Sequence, residues 1–318
     1  MSRCPITYEV IGEGTSKYSA KGLKLLSPRL KALCDFPFTS SEQLELALKY
    51  STKLSIQGVQ PKLSAKLNTT HETFELVERG GTFILKPPHH IYEELPQNED
   101  LTMRLAAMSG IEVPLHGMMY AADGSLTYFI KRFDRIARGH KLAVEDFSQL
   151  LGYSRETKYD ASMEKLVAVI DKHCTFPMLE KIKFFRLLIF NFLVGNEDMH
   201  LKNFSLIRRE NKVELSPAYD LINSSIVING TEEIALPLRG KKSNFIRQDF
   251  VEYFAFERLG LGEKIVVEML EEFTRTVDQW IQLIHNSFLS AKFQQKYLAL
   301  LNNRVKRLNK GYCSGVSR

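Results

Sequence analysis

After a short helix, the pattern of residues in the first part of the chain becomes typical of β-strands. Runs rich in β-branched and aromatic residues predict strands over residues 62–67, 72–78, 82–86, 113–120 and 126–133. The dipeptide Gly80-Gly81 predicts a hairpin turn between the second and third of these strands, and Pro87-Pro88 ends the third. Helical periodicity fits residues 40–48 before the strands and residues 99–109 among them.

From residue 135 onward, apolar residues recur every three or four positions, which predicts helices. The predicted helices cover residues 144–151, 161–173, 178–194, 246–259, 263–288 and 291–308. Residues 195–238 interrupt them with a loop, a hairpin and an extended stretch.

A chain of 318 residues is longer than one hydrophobic core usually serves, so we expect two lobes with a shared cleft. The sequence predicts an α+β fold, with a small sheet-rich N-lobe over residues 1–130 and a larger helical C-lobe over residues 131–318. This arrangement resembles the bilobal fold of kinases.

Composition and charge restrict the class of protein. Apolar residues make up 44% and charged residues 25%, as in ordinary folded proteins. The net charge of +6 is modest and spread along the chain, so we expect no direct binding to nucleic acid. No apolar run suits a membrane span or a secretory signal, which predicts a cytoplasmic protein. The four cysteines form no C-x-x-C pair and predict reduced, mostly buried thiols.

The stretch that interrupts the helices carries the residue types that phosphoryl transfer needs. Asp198 and Asn203 lie five residues apart, the same interval as in the kinase catalytic loop H-R-D-x-x-x-x-N. A hairpin over strands 204–208 and 213–215 predicts that Asp220 returns close to Asn203. A carboxylate must deprotonate the attacking hydroxyl, and oxygen ligands must hold magnesium. Asp198 is therefore the candidate base, and Asn203 and Asp220 are candidate Mg²⁺ ligands.

Phosphates also need a cation. Lys86 ends a predicted strand, where a kinase carries its phosphate-binding lysine. Glu99 is a candidate ion-pair partner for Lys86, in competition with Glu93, Glu94 and Asp100. The stretch Ser55-Ile56-Gln57-Gly58-Val59-Gln60-Pro61-Lys62 would cover the phosphates, although its composition fits a plain turn as well.

Each of these residues also has a structural interpretation when it is taken alone. Asp198 could stabilise a loop, Asn203 could sit in a turn, Asp220 could cap a helix, and Lys86 could end a strand in solvent. Their joint order along the chain favours an ATP- and magnesium-dependent enzyme.

Several segments together resemble the HipA-like serine/threonine kinase family, the toxins of bacterial type II toxin–antitoxin modules. The matching segments are residues 55–62, 83–87, 131–135, 195–206, 216–221 and 235–242. The resemblance implies a nucleotide-binding loop formed by Gln57, Gly58, Val59, Gln60, Pro61 and Lys62, and an adenine-binding hinge formed by Lys131, Arg132 and Phe133.

The same resemblance implies the roles of the remaining site residues. Asp198 would accept the proton, with Lys86, His200 and Lys202 beside it as catalytic residues. The residues implied to line the metal and the phosphates are His200, Lys202, Asn203, Tyr219 and Asp220. Ser55 would be autophosphorylated, which inhibits such kinases.

The resemblance also implies partners. Only about fifty residues precede the glycine loop, as in the short HipT toxins of three-component HipBST modules. A HipS-like small antitoxin and a HipB-like DNA-binding protein would be the partners, and an aminoacyl-tRNA synthetase the protein substrate. Gln57 stands where the short form often has a second serine, so regulation through two phosphoserines is not expected.

Two other functions remain open at the level of sequence. Phosphatidylinositol-type lipid kinases also use D-x-H-x-x-N, which Asp198, His200 and Asn203 satisfy. A catalytically silent kinase-shaped scaffold for antitoxin partners is the second alternative. The absence of amphipathic basic helices disfavours the first, and the presence of all four key residues disfavours the second.

Overall fold

The computed structural model describes residues 2–12, 16–51, 61–136, 139–154, 156–228 and 230–310, without the side chains of residues 50 and 51. The chain divides into two units. The first contains Met1–Leu101, Pro114–His140 and Asn286–Leu289, and the second contains Thr102–Val113, Lys141–His285 and Ser290–Arg318. Each unit combines helices with an antiparallel sheet, which confirms the predicted α+β class.

The first unit is built on a five-stranded antiparallel sheet. Its strands are β1 Leu63–Asn68, β2 Thr73–Leu76, β3 Phe83–Lys86, β4 His116–Tyr120 and β5 Leu126–Lys131. They lie in the order β2-β1-β3-β5-β4. Phe74, Phe83 and Phe129 pack on one another beneath the sheet, with ring centroids 5.1–6.1 Å apart. One aromatic residue from each of three strands therefore contributes to the core on this face of the sheet.

The predicted hairpin between the second and third strands is wrong, because β1 lies between them. The real hairpin joins β1 to β2, where the Asn68 side chain accepts hydrogen bonds from the backbone N–H of Thr70 and His71. Gly81 instead allows β1 to approach the backbone closely, because a Cβ at this position would lie 2.0 Å from Ser64 Oγ. A pair of glycines is equally compatible with a turn and with the close approach of another segment, and the sequence alone does not distinguish these two cases.

Within the part of the chain that the structure describes, three helices contain residues of the first unit. They are α1 Ala20–Leu26, α2 Ser40–Ser51 and α3 Leu95–Met108, of which α3 contributes to both units. The helices predicted at 40–48 and 99–109 are confirmed, but each is longer than predicted. The seven-residue α1 was not predicted, because it is short and contains Gly22. A hydrogen bond from the Gly22 N–H to the Ser19 side chain caps it.

The second unit is mainly helical. Its helices are α4 Phe147–Leu151, α5 Met163–His173, α6 Pro177–Val194, α7 Glu263–His285 and α8 Ala291–Asn309, with a π-helical segment at Asp249–Arg258. A small antiparallel sheet has the order β6-β7-β8, formed by β6 Val144–Asp146, β7 Ser205–Arg209 and β8 Lys212–Leu215. In the described ranges, no helix combines the length and the apolar character needed to cross a bilayer.

The predicted helix at 144–151 is wrong over its first three residues, which form β6 and pair with β7. Asp146 separates the two elements, since its carboxylate accepts the Gln149 N–H at 2.8 Å and so caps α4. The helix predicted at 246–259 has π-type geometry, with the Leu259 N–H bonded to the Phe254 carbonyl oxygen five residues earlier. The hairpin predicted after Asn203 is confirmed as β7 and β8.

Helix α6 is the element that anchors the second unit. Phe184, Phe190 and Phe192 are among its buried side chains, so most of its circumference faces protein. It ends at Gly195, whose φ of 72° lies in the left-handed region, and the Gly195 N–H bonds back to the last turn. The loop that follows therefore starts from a fixed point.

We predict that Gly195→Ala lowers the free energy of unfolding by about 2–4 kcal/mol. A Cβ at this position would lie 2.8 Å from Ser225 Oγ and 2.9 Å from Leu300 Cδ2, and alanine also strains the left-handed backbone. Urea denaturation of both proteins measures the difference.

Gly152→Ala is the matched control, because Gly152 ends α4 with the same φ of 72° but has no atom within 4 Å of an added Cβ. It should lose only about 1–2 kcal/mol from backbone strain. Equal losses in the two variants would contradict the importance of the close approach at Gly195.

Candidate active site

In the first unit, Lys86 forms a buried ion pair with Glu99. Lys86 is the last residue of β3 and Glu99 lies in the second turn of α3, with Nζ and Oε1 2.5 Å apart. The two residues are 3% and 1% exposed. Burying two charges is costly, and only close pairing offsets that cost. Of the acidic candidates, Glu99 is thus confirmed as a partner of Lys86.

Asp100, one of the competing candidates, bonds elsewhere. Its Oδ1 lies 2.9 Å from Nδ1 of the buried His116 on β4. Neighbouring carboxylates on α3 therefore bind two different strands, β3 through Lys86 and β4 through His116. This double attachment fixes α3 in rotation on the sheet. The sequence contained no signal for the His116 contact.

The predicted hinge lies at the end of β5. The backbone N–H groups of Lys131 and Arg132 donate to the carbonyl oxygens of Leu115 and Thr82, at 2.8 Å each. The Arg132 guanidinium donates two hydrogen bonds to Asp134, at 2.9 and 2.8 Å, immediately past Phe133. The hinge segment is thus tied to the sheet through its backbone.

The predicted nucleotide loop is described only at its end. Pro61 and Lys62 are half-buried and lead into β1. Five of the predicted site residues in this stretch lie outside the described part of the chain, namely Ser55, Gln57, Gly58, Val59 and Gln60.

In the second unit, the loop after Gly195 is held by its own side chains. Asn196 is buried and donates from Nδ2 to Asn191 Oδ1 at 2.9 Å, while its Oδ1 accepts the Asp198 N–H at 3.2 Å. Asp198 itself is exposed. The buried start of the loop thus presents one carboxylate to solvent, where a large molecule can reach it.

His200 and Asn203 close the end of this loop. His200 Nδ1 accepts the Lys202 N–H, and Asn203 Oδ1 accepts the His200 N–H, each at 3.2 Å. The two bonds cap the 3₁₀ turn Leu201–Asn203. Phe204, next along the chain, packs against Phe184 with ring centroids 5.5 Å apart. The position of Asn203 is therefore fixed from both sides.

The hairpin brings Asp220 to Asn203, as the sequence predicts. Asn203 Nδ2 donates to Asp220 Oδ2 at 3.3 Å across sixteen intervening residues. Tyr219 supports the approach, because its hydroxyl donates to the Lys202 carbonyl oxygen at 2.8 Å and lies 2.5 Å from Ser205 Oγ. Asp220 has a φ of 57°, in the left-handed region, which aspartate and asparagine adopt more readily than most other residues with a side chain.

The Asn203 and Asp220 pair fits a magnesium ion chemically. Carboxylate and amide oxygens are the ligands that Mg²⁺ prefers. Asn203 Oδ1 accepts one hydrogen bond, from His200, and its second lone pair is suited to a cation. Asp220 adds a carboxylate 3.3 Å from the Asn203 amide nitrogen.

Burial lowers the pKa of His200 to about 4, and the nearby Asp198 carboxylate offsets only part of this effect. The imidazole is therefore neutral at neutral pH, which matches its role as hydrogen-bond acceptor at Nδ1. Burial also raises the pKa of Tyr219 well above its usual range, so its hydroxyl remains a donor.

Sequence reasoning missed two supports of the loop. Ser224 Oγ accepts the Glu197 N–H at 2.7 Å, and the Ser225 hydroxyl donates to the Gly195 carbonyl oxygen at 3.0 Å. Small polar residues after Leu221 predict only a loop, so no signal separated these serines from others. Tyr159, whose hydroxyl donates to Asp198, was missed as well.

Known proteins resemble this chain over most of its length. The family model of the HipA-like C-terminal domain matches residues 54–281, which is more than half of the chain. A Haemophilus influenzae protein named "Putative kinase" is 28% identical over 91% of this chain and 94% of its own length.

The serine/threonine-protein kinase toxin HipA of Shewanella oneidensis is 28% identical, and the alignment covers 72% of this chain. The chain spans 57% of that toxin's length.

Two solved structures share the fold. The complex of Shewanella oneidensis HipA, HipB and operator DNA contains a chain that matches 93% of this one, with a TM-score of 0.67, 22% identity and 74% of its own length covered. The Helicobacter pylori proinflammatory kinase CtkA matches 81% of this chain, with a TM-score of 0.56, 17% identity and 95% of its own length covered. These matches confirm the kinase-like fold that the sequence predicts. Because the family model matches more than half of the chain, the chain belongs to the HipA-like C-terminal domain family.

Proposed function

We propose that the chain is an ATP- and magnesium-dependent serine/threonine protein kinase, with the first unit as its N-lobe and the second as its C-lobe. The observation that most supports this is the 3.3 Å approach of Asn203 to Asp220, on the loop that also carries the exposed Asp198. A loop stabilised only for folding does not need an amide and a carboxylate to meet when the same loop leaves a second carboxylate in solvent.

Under this proposal Asp198 acts as the general base. The acceptor hydroxyl oxygen forms a bond to the γ-phosphorus, the bond from that phosphorus to the β–γ bridging oxygen breaks, and ADP leaves. The hydroxyl proton moves to the Asp198 carboxylate. The anchoring of the loop through Asn196 keeps that carboxylate in place during the transfer.

Asn203 and Asp220 would hold Mg²⁺, which when bound neutralises the charge of the triphosphate. Lys86 would bind the phosphates, with its ammonium held in place by Glu99. His200, in its neutral form, and Lys202 would line the phosphates. The loop over residues 57–62 and the hinge over residues 131–133 would bind the nucleotide.

The biological role that we propose is that of the toxin in a type II toxin–antitoxin module. Two findings support it: the family match, and the relative named as a serine/threonine-protein kinase toxin. The HipA of Shewanella oneidensis was solved with HipB and operator DNA, so we propose a HipB-like partner here.

On the resemblance to the short HipT toxins, a HipS-like antitoxin and an aminoacyl-tRNA synthetase substrate complete the proposal. The toxin would act in the cytoplasm.

We predict that Asp198→Asn lowers turnover at least about a hundredfold, because the amide cannot take the hydroxyl proton. Binding of ATP should be preserved, since the substitution leaves Lys86, Asn203 and Asp220 intact. Transfer of labelled phosphate from ATP to lysate proteins and to phosphoinositide vesicles measures the activity and separates protein from lipid acceptors. Asp278→Asn, an exposed carboxylate on α7, is the control. Near-normal turnover of Asp198→Asn would refute the role of Asp198 as base.

We predict that Asp220→Asn weakens binding of magnesium–ATP about tenfold or more, while binding of ATP in the presence of EDTA is unchanged. Asparagine tolerates the left-handed backbone at this position, so the substitution isolates the charge. Thermal unfolding with ATP, with and without Mg²⁺, gives the measurement. A magnesium-dependent stabilisation equal to that of the unchanged protein would contradict the assignment of Asp220 as ligand.

We predict that Ser55→Ala removes the main autophosphorylation site. Mass spectrometry of phosphopeptides after incubation with magnesium–ATP tests this, with Thr52→Ala, in the same stretch of sequence, as the control. Unchanged phosphate incorporation located at another residue would overturn the assignment.

A further inference from the structure

The proposed base is not open to solvent on all sides. The Tyr159 hydroxyl donates a hydrogen bond to Asp198 Oδ1. Tyr159 lies in the connection between α4 and α5 and is 37% exposed. This contact has no place in the mechanism described above.

The chemical nature of the contact is specific. In the proposed reaction, a serine or threonine hydroxyl must donate a hydrogen bond to the Asp198 carboxylate before its proton is transferred. Tyr159 supplies a hydroxyl donor to an oxygen of that same carboxylate. It therefore satisfies the hydrogen-bonding requirement that an acceptor would satisfy.

Tyr159 is held in place by more than this hydrogen bond. Its ring makes an edge contact with the His200 ring, with centroids 5.2 Å apart, and the Lys158 ammonium lies 4.8 Å from the Tyr159 ring centroid. The Leu201 N–H donates to the Lys158 carbonyl oxygen at 3.3 Å, which ties the connection to the catalytic loop. Burial and the bond to Asp198 raise the pKa of Tyr159, so its hydroxyl keeps its proton at neutral pH.

The backbone of Asp198 is held in place without Tyr159. Asn196 holds the Asp198 backbone, and Asn196 is itself bonded to α6. The His200 and Asn203 bonds fix the other end of the loop. Removal of one hydroxyl from Tyr159 leaves all of these bonds intact.

We propose that Tyr159 occupies the acceptor position on Asp198, so that the hydroxyl of a protein substrate must displace the Tyr159 hydroxyl before phosphate is transferred. This proposal rests on the proposed kinase function. It assigns Tyr159 as a residue that determines acceptor specificity. A protein acceptor brings binding energy from its own surface to displace the tyrosine, whereas water brings none. Tyr159 thereby protects ATP from hydrolysis.

Tyr159→Phe tests the proposal, with water as the acceptor. Phenylalanine keeps the ring against His200 and removes only the hydroxyl that competes for Asp198. Release of ADP from magnesium–ATP should rise about three- to tenfold, the effect of one hydrogen bond of ordinary net strength. The KM for ATP should not change. A thermal unfolding midpoint equal to that of the unchanged protein verifies the fold.

Tyr153→Phe is the matched control. Tyr153 lies in the same connection, and its hydroxyl bonds to Lys165 Nζ at 2.8 Å. This variant should release ADP at the rate of the unchanged protein. In the double variant Tyr159→Phe/Asp198→Asn, the gain should disappear, because the freed oxygen no longer belongs to a base.

A rate in Tyr159→Phe equal to that of the unchanged protein, including no detectable release from either, overturns the proposal. A lower rate overturns it too, and assigns Tyr159 to positioning of Asp198 instead. Failure of the kinase function is a different result: the unchanged protein then transfers no phosphate from magnesium–ATP to lysate proteins, whatever Tyr159→Phe does.

Discussion

The arrangement of the second unit depends on the end of α6. Gly195 has a left-handed backbone conformation, and its close neighbours leave no room for a side chain. The chain then enters the loop that carries Asp198 and Asn203. Ser225, on the segment after Asp220, bonds to the Gly195 carbonyl oxygen. One backbone position thus fixes the loop, and the returning segment is fixed to the same position. The approach of Asp220 to Asn203 follows from both attachments.

Much of this site was predictable because its signals are local. The interval between Asp198 and Asn203, the strand periodicity of β7 and β8, and the apolar length of α6 can each be identified within a short window of sequence. The Lys86–Glu99 pair was predictable as one of four possibilities, since a strand-end lysine and an acidic helix start leave few alternatives. Long, strongly periodic helices such as α7 were equally clear.

The features that sequence did not predict depend on contacts between distant segments. Gly81 predicts a turn by composition, but its real neighbour is Ser64 on β1. The three residues of β6 follow the pattern of α4 and become a strand only because β7 is there to pair with them. The bond of Tyr159 to Asp198 spans 39 positions and involves an ordinary polar loop residue. No periodicity or motif carries such information.

The contrast between buried and exposed charges supports a functional origin for the site. Replacing a buried ion pair by apolar residues is often neutral or stabilising, so Lys86 and Glu99 are poorly explained by folding alone. A lysine that binds phosphate must keep its charge in a protected place, and a buried glutamate secures both the charge and the position. The proposed base Asp198 would have the opposite requirement, since it would have to meet a macromolecular acceptor, and its side chain is exposed. An exposed carboxylate can accept a hydrogen bond from any hydroxyl, including that of water. The hydrogen bond from Tyr159 occupies one oxygen of the Asp198 carboxylate.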